Sequence, residues 1–83
     1  MTVTTKGLTE ELDKEIGRRL RVARKLRGKS VVWLSKQIGV SYQQVLKYEK
    51  GKNRISASLL FVLSDILEID PCRFYKGLKF SLN

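Results

Sequence analysis

A repeated pair of signals constrains this chain most. A glycine that can end a helix is followed within a few residues by a serine that can begin the next. Gly28 precedes Ser30, Gly39 precedes Ser41, and Gly51 precedes Ser56 and Ser58. The segments between these marks carry apolar residues at helical spacing. Leu12, Ile16, Leu20 and Ala23, with Leu26 a turn further on, define a first helix. Thr9 is its expected cap, and Glu10 and Glu11 favour its positive N-terminal end. Ser30 opens a second helix over Val31 to Ile38. Ser41 opens a third, which runs to about Lys50. There Ser41-Tyr42-Gln43-Gln44 fits a capping box, with Gln44 reaching back to the cap. Ser56 or Ser58 caps a fourth helix through Leu67, buried along Leu59, Leu60, Leu63, Ile66 and Leu67. Asp70-Pro71 opens a fifth, short helix closed by Gly77. No segment alternates with period two beyond a few residues, so the expected class is all-α, a compact bundle of five short helices. Residues 1–11 are expected to form an N-terminal arm and the start of the first helix, 12–77 the domain, and 78–83 a tail that frays unless a partner orders it.

Length and composition remove several function classes. At 83 residues the chain is one small domain, without room for a catalytic unit beside a regulatory one. It has no His, and its only Cys is Cys72. Disulfide scaffolds, Cys/His zinc sites and His-dependent triads are thereby excluded. Glycine-rich phosphate-binding patterns and a Ser-x-x-Lys pair are absent as well. No enzyme, no cofactor and no metal site is expected. The longest apolar run, Leu59 to Leu63, is far short of the roughly 20 residues that span a bilayer. The polar start of the chain has no signal-peptide core. With a lone thiol, this points to a cytoplasmic protein that engages no membrane.

The charge points to a polyanion. Seventeen Lys and Arg oppose eight Asp and Glu, a net charge of +9. The excess is regional. No acidic residue occurs from Ile16 to Tyr48, a stretch holding Arg18, Arg19, Arg21, Arg24, Lys25, Arg27, Lys29, Lys36 and Lys47. A solvated helix face is the bland explanation of a charge run. Segregation this complete favours a polyanion-binding surface.

The second and third helices, joined at Gly39-Val40-Ser41, form a helix-turn-helix unit. A glycine there can take a positive φ and let one helix swing across the other. Leu34, Ile38, Val45 and Tyr48 can form its mini-core. Tyr42, Gln43, Lys47 and Lys50 then face outward, a polar face suited to the major groove. Gln can bond bidentately to adenine, and Lys can donate to guanine.

The stretch from Ile16 to Phe74 resembles the lambda-repressor-like DNA-binding domain of the Cro/CI type, the XRE family. IGRRLRVARKLRGKS, LSKQIGVSYQQVLKYEKGKNRIS and LLFVLSDILEIDPCRFY carry the likeness. The resemblance implies base contacts from Tyr42, Gln43 and Lys47, with Gln44 a weaker candidate. It implies phosphate contacts at Lys50, Lys52, Asn53 and Arg54. Ser30 and Ser41, at helix N-termini where free N–H groups and the dipole attract anions, join them. Arg24 and Glu49 match a structural ion pair between the first and third helices. Val31 stands where relatives often carry a phosphate-binding Gln, and Val32 and Trp33 where they are usually polar. This apolar patch either folds back over the domain or meets a partner. Ser35, in place of the usual Ala, is neutral.

The expected function is a sequence-specific double-stranded DNA-binding transcriptional regulator, a repressor by occlusion in the simplest case. One such domain reads few base pairs, so a homodimer on a pseudo-palindromic operator is expected. Candidate dimer or partner contacts are Val32, Trp33, Phe74, Tyr75 and Leu78, with Phe80 and Leu82 in the tail. Phe61, Phe74 and Tyr75 belong to the core or to a subunit interface. The alternatives are an antitoxin that binds a toxin through its apolar patch, an adaptor of the transcription machinery, and charge-driven binding of RNA or an anionic membrane. The polar face of the third helix speaks against the last.

Overall fold

The structure, a computed structural model, describes residues 5–79. Phe80 and Leu82 lie outside them. The elements are α1 (Thr5–Leu26), α2 (Val31–Ile38), α3 (Tyr42–Glu49) and α4 (Ala57–Ile66), followed by a single 3-10 turn at Pro71–Phe74. Among the described residues there is no strand.

The serines act as the spacing predicts. Ser30 Oγ accepts the Trp33 N–H at 2.9 Å, Ser41 Oγ that of Gln44 at 3.1 Å, and Ser56 Oγ that of Leu59 at 3.1 Å. Ser56, not Ser58, is therefore the cap of α4. Each such cap satisfies an N–H that the helix itself leaves without a partner, for about 1 kcal/mol.

Two expectations about the elements are corrected. Among the described residues the α-helices number four, not five: Asp70 caps and Pro71 opens as expected, but only a four-residue 3-10 turn follows. Its closing bond, from Tyr75 N–H to Cys72 O, spans three residues, and Gly77 at φ 78° redirects the backbone soon after. Helix α1 begins at Thr5, so Thr9 is interior to it and caps nothing. The Thr9 hydroxyl instead accepts from Arg54 Nη2 at 2.6 Å.

The core forms where the faces of all these elements meet. Leu20 of α1, Leu34 of α2, Val45 of α3 and Leu63 of α4 are sealed from solvent together with Leu67 and Phe74. Burial of each such side chain contributes roughly 1.5–3 kcal/mol. Phe74 thus serves the core and has no surface to offer a second subunit. Val31 and Trp33 fold back against the same core, and Lys29 Nζ stands 4.7 Å from the Trp33 ring centroid. Of the Val31-Val32-Trp33 patch only Val32 remains exposed.

Candidate nucleic-acid interface

The site is built on α3, and α3 is fixed from two sides. On one side α2 meets it through Leu34 and Val45, flanked by the half-buried Ile38 and Tyr48. The turn between them depends on Gly39 at φ 72°, whose N–H donates to the Ser35 carbonyl.

On the other side α3 lies against α1 with its backbone nearly touching. A Cβ on Gly17 would sit 2.3 Å from the Tyr48 carbonyl oxygen and 2.8 Å from that of Glu49. At the end of α3, Gly51 has φ 71°, and a Cβ there would lie 2.6 Å from Lys14 Cα. Neither position has room for a side chain. Between α1 and α3 runs a two-pronged ion pair. Arg24 Nε donates to Glu49 Oε2 at 2.7 Å, and Nη2 donates to Oε1 at 3.1 Å. Only 8% of the Arg24 side chain and 3% of that of Glu49 reach solvent. Arg24 Nη1 is satisfied by the Lys29 carbonyl at 2.8 Å. This parallel geometry sets the roll of α3 about its axis as well as its distance from α1. No buried side-chain nitrogen or oxygen lacks a partner among the described residues.

What α3 turns outward is Tyr42, Gln43, Lys47 and Lys50, all exposed. None of these side chains has a hydrogen bond or ion pair within the described residues. They stand on a rigid element with their polar ends in solvent. Lys52, at the start of the next loop, is exposed too.

Five other candidates are already engaged. Gln44 donates its backbone N–H to Ser41, but its side chain does not close a capping box. Its Nε2 donates to Asn53 Oδ1 at 3.1 Å, which ties α3 to the loop that follows. Arg54 is held by α1: Nε donates to Asp13 Oδ2 at 3.1 Å, beside the Thr9 contact. The Ser30 and Ser41 hydroxyls cap their helices.

Sequence reasoning missed several residues that shape the site. Gly17 was one: a glycine inside a helical pattern costs about 1 kcal/mol relative to Ala, and that cost was the available signal of a close backbone approach. Phe61, which the sequence leaves between the core and a subunit interface, and Val62, to which it gives no role, lie on the surface of α4, 64% and 43% exposed. The unbroken run from Leu59 to Leu63 is wider than one buried stripe, which is a readable hint. Arg18 holds the Glu15 carboxyl down to about 2 from its usual 4.5 by direct hydrogen bonds, with Arg19 adding to the effect.

A four-helix unit whose second and third helices cross at a glycine, with a polar outer face on the third, defines a helix-turn-helix protein. Comparison with known proteins bears this out. The helix-turn-helix family model matches residues 20–74, and the chain belongs to that family, in its XRE, lambda-repressor-like branch. An HTH-type transcriptional regulator of Sinorhizobium fredii is 43% identical over 67 residues, which is 81% of this chain and 47% of the relative. A transcriptional regulator encoded in the ATPase CF(0) region of Rhodospirillum rubrum is 38% identical over 68 residues, 82% of this chain and 63% of the relative. The chain spans about half the length of the curated relatives it matches first. Among solved structures, the restriction-modification controller protein C.AhdI of Aeromonas hydrophila superposes with a TM-score of 0.70 at 28% identity, over 78% of this chain and 97% of that one. The DNA-binding domain of BldD, at 22% identity and a TM-score of 0.71, shares the fold over 78% of this chain and 94% of its own.

Proposed function

We propose that this chain is a sequence-specific double-stranded DNA-binding transcriptional regulator, with α3 and its flanking Ser41 and Lys50 set into the major groove. The observation that carries this reading is the outer face of α3. Tyr42, Gln43 and Lys47 are exposed, have no side-chain hydrogen bond or ion pair among the described residues, and stand on a helix locked against α1. Base reading needs side chains free to bond and a frame that holds their register. Lys50 and Lys52 at the end of α3, and the first turns of α2 and α3 behind Ser30 and Ser41, are assigned to phosphates. Asn53 and Arg54 remain candidates there, but each must first release or share its present partner. Residues 12–77 are the binding unit in this reading, and repression by occlusion in the cytoplasm is the simplest mode of action.

The same reading includes a homodimer on a pseudo-palindromic operator with half-sites about one helical turn apart. Phe61 and Val62 on α4, with Tyr75, are the exposed apolar side chains that support it. An antitoxin role would rest on the Val31-Val32-Trp33 patch, most of which is folded into the core.

The test is a fluorescence-anisotropy titration at physiological salt, comparing duplexes tiled across the gene's own upstream region with a scrambled duplex. Preference for one tile by about 10³-fold or more is expected of a specific regulator that controls its own gene. Absence of binding to every duplex refutes the proposal.

A further inference from the structure

A cleft of about 420 Å³ lies between α1 and the C-terminal segment, lined among others by Arg18, Val22, Leu26, Ile69, Arg73 and Lys76. Its floor is apolar and open. Val22 is 43% and Leu26 72% exposed, one helical turn apart on α1. Its rim is cationic, and among the described residues no acidic one lines it.

The cations of the cleft fall into two groups. Arg19 and Arg27 are used by the fold. Arg19 Nη1 donates to the carbonyls of Arg73 at 3.1 Å and Lys76 at 2.6 Å, and Arg27 donates to the carbonyls of Leu67 and Glu68. These bonds clamp the C-terminal segment to α1 and make the cleft a built feature. Arg18 is paired with Glu15. Arg73 and Lys76 have no acidic partner among the described residues.

The cleft also faces away from α3. Gly17 and Arg24 are the α1 residues that meet α3. At 3.6 residues per turn, Val22 and Leu26 stand about 140° and 180° around the helix from Gly17. An occupant here does not compete for the outer face of α3.

We infer that this cleft docks an acidic, apolar segment of a partner protein, in the form of an amphipathic helix whose apolar anchors cover Val22 and Leu26 while its carboxylates meet Arg73 and Lys76. Charge complementarity selects the acidic side chains, and the apolar pair on α1 selects the anchors. A small molecule fits less well, because such ligands bury about 70–90% of their surface, and a floor this open cannot enclose one. A nucleic acid would satisfy the cations and leave the apolar floor uncovered. The inference does not depend on the DNA-binding reading.

The experiment uses a fluorescein-labelled synthetic peptide of Glu and Leu in which the leucines recur at helical spacing, beside a scrambled peptide of the same composition. Anisotropy is read for the full chain, for Leu26→Glu and for Arg73→Glu, with Lys76→Glu as a second rim variant. All are solvent-facing substitutions whose folding is checked by circular dichroism. The helical peptide is expected to bind, and Leu26→Glu to weaken it about tenfold or more, the equivalent of losing one apolar anchor. The rim variants should weaken it as well, while duplex affinity stays within about twofold in each. Equal binding of the scrambled peptide, equal binding by Leu26→Glu, or displacement of the peptide by duplex DNA would each overturn the inference. Loss of duplex affinity in the rim variants would assign the cleft to nucleic acid and overturn it too.

Discussion

The two sides of α3 differ in what holds them. On the inward side, Val45 is sealed in the core, Glu49 is gripped by Arg24 through two hydrogen bonds, and the backbone lies against Gly17 with no space for a methyl group. On the outward side, Tyr42, Gln43 and Lys47 touch no other side chain through a hydrogen bond or ion pair within the described residues. One eight-residue helix therefore carries two kinds of position. Substitutions on the inward side should act on stability, and those on the outward side on binding alone. An isolated helix of this length is marginal in water, so the inward contacts are what give the outward face a fixed shape.

The contrast can be broken most severely at the ion pair. Glu49→Ala leaves the Arg24 guanidinium buried without its carboxylate, a loss of about 3–5 kcal/mol. That approaches the whole stability of a small domain, so thermal denaturation should start far lower and duplex binding should fall with it. Replacing both partners, Arg24→Met with Glu49→Leu, should recover most of the loss. Failure to recover would show that the pair does more than fill space.

Gly17→Ala comes next. Ala favours a helix over Gly by about 1 kcal/mol, yet the added methyl meets backbone oxygen, which cannot turn aside. A net destabilisation of about 1–3 kcal/mol is expected by chemical denaturation. A gain in stability would mean that α1 and α3 separate without cost.

On the outward side, Lys47→Ala should leave the denaturation midpoint unchanged, within about 0.5 kcal/mol. It should relax discrimination between duplexes by about 1–3 kcal/mol, read by competition titration. Arg54→Ala lies between the two classes. Its ties to Asp13 and Thr9 are partly solvent-exposed, so a stability loss of only about 0.2–1 kcal/mol is expected. A phosphate role would add uniform weakening on all duplexes and a flatter salt dependence.

The smallest effect concerns Glu15, whose carboxyl is held down at about 2 by Arg18. A depressed folded-state value means that the pair's contribution is complete above the ordinary 4.5 and is lost as the pH falls toward 2. Arg18→Ala should move the Glu15 titration, followed by carbon-detected NMR, up toward the ordinary value. Global stability at neutral pH should barely change.

Most of the frame was legible because it is written locally. A serine cap or a glycine stop acts on residues three or four positions away, so Ser30, Ser41, Gly39 and Gly51 announce their helix ends. The Arg24–Glu49 pair was legible only through the family resemblance. Contacts between residues distant in the chain left little trace. Nothing near Arg54 points to Asp13 and Thr9, and without that contact Thr9 reads as a cap. Gln44 has two possible partners, its own cap and Asn53, and local pattern reveals only the first. Trp33 reads either as folded back over the domain or as a partner contact, and only its packing against the core decides for the first. The fifth helix failed because a cap and a proline specify where a helix begins but not that it continues.

The most direct test of the central claim compares wild type with a Gln43→Ala/Lys47→Ala variant on one duplex enriched from a random pool and on its scrambled counterpart, by anisotropy, with thermal midpoints taken alongside. The account predicts a wild-type preference of about 10³-fold or more that collapses in the variant while its melting temperature holds. A variant that keeps the preference, or loses it only by unfolding, would contradict the claim that the outward face of α3 reads the DNA.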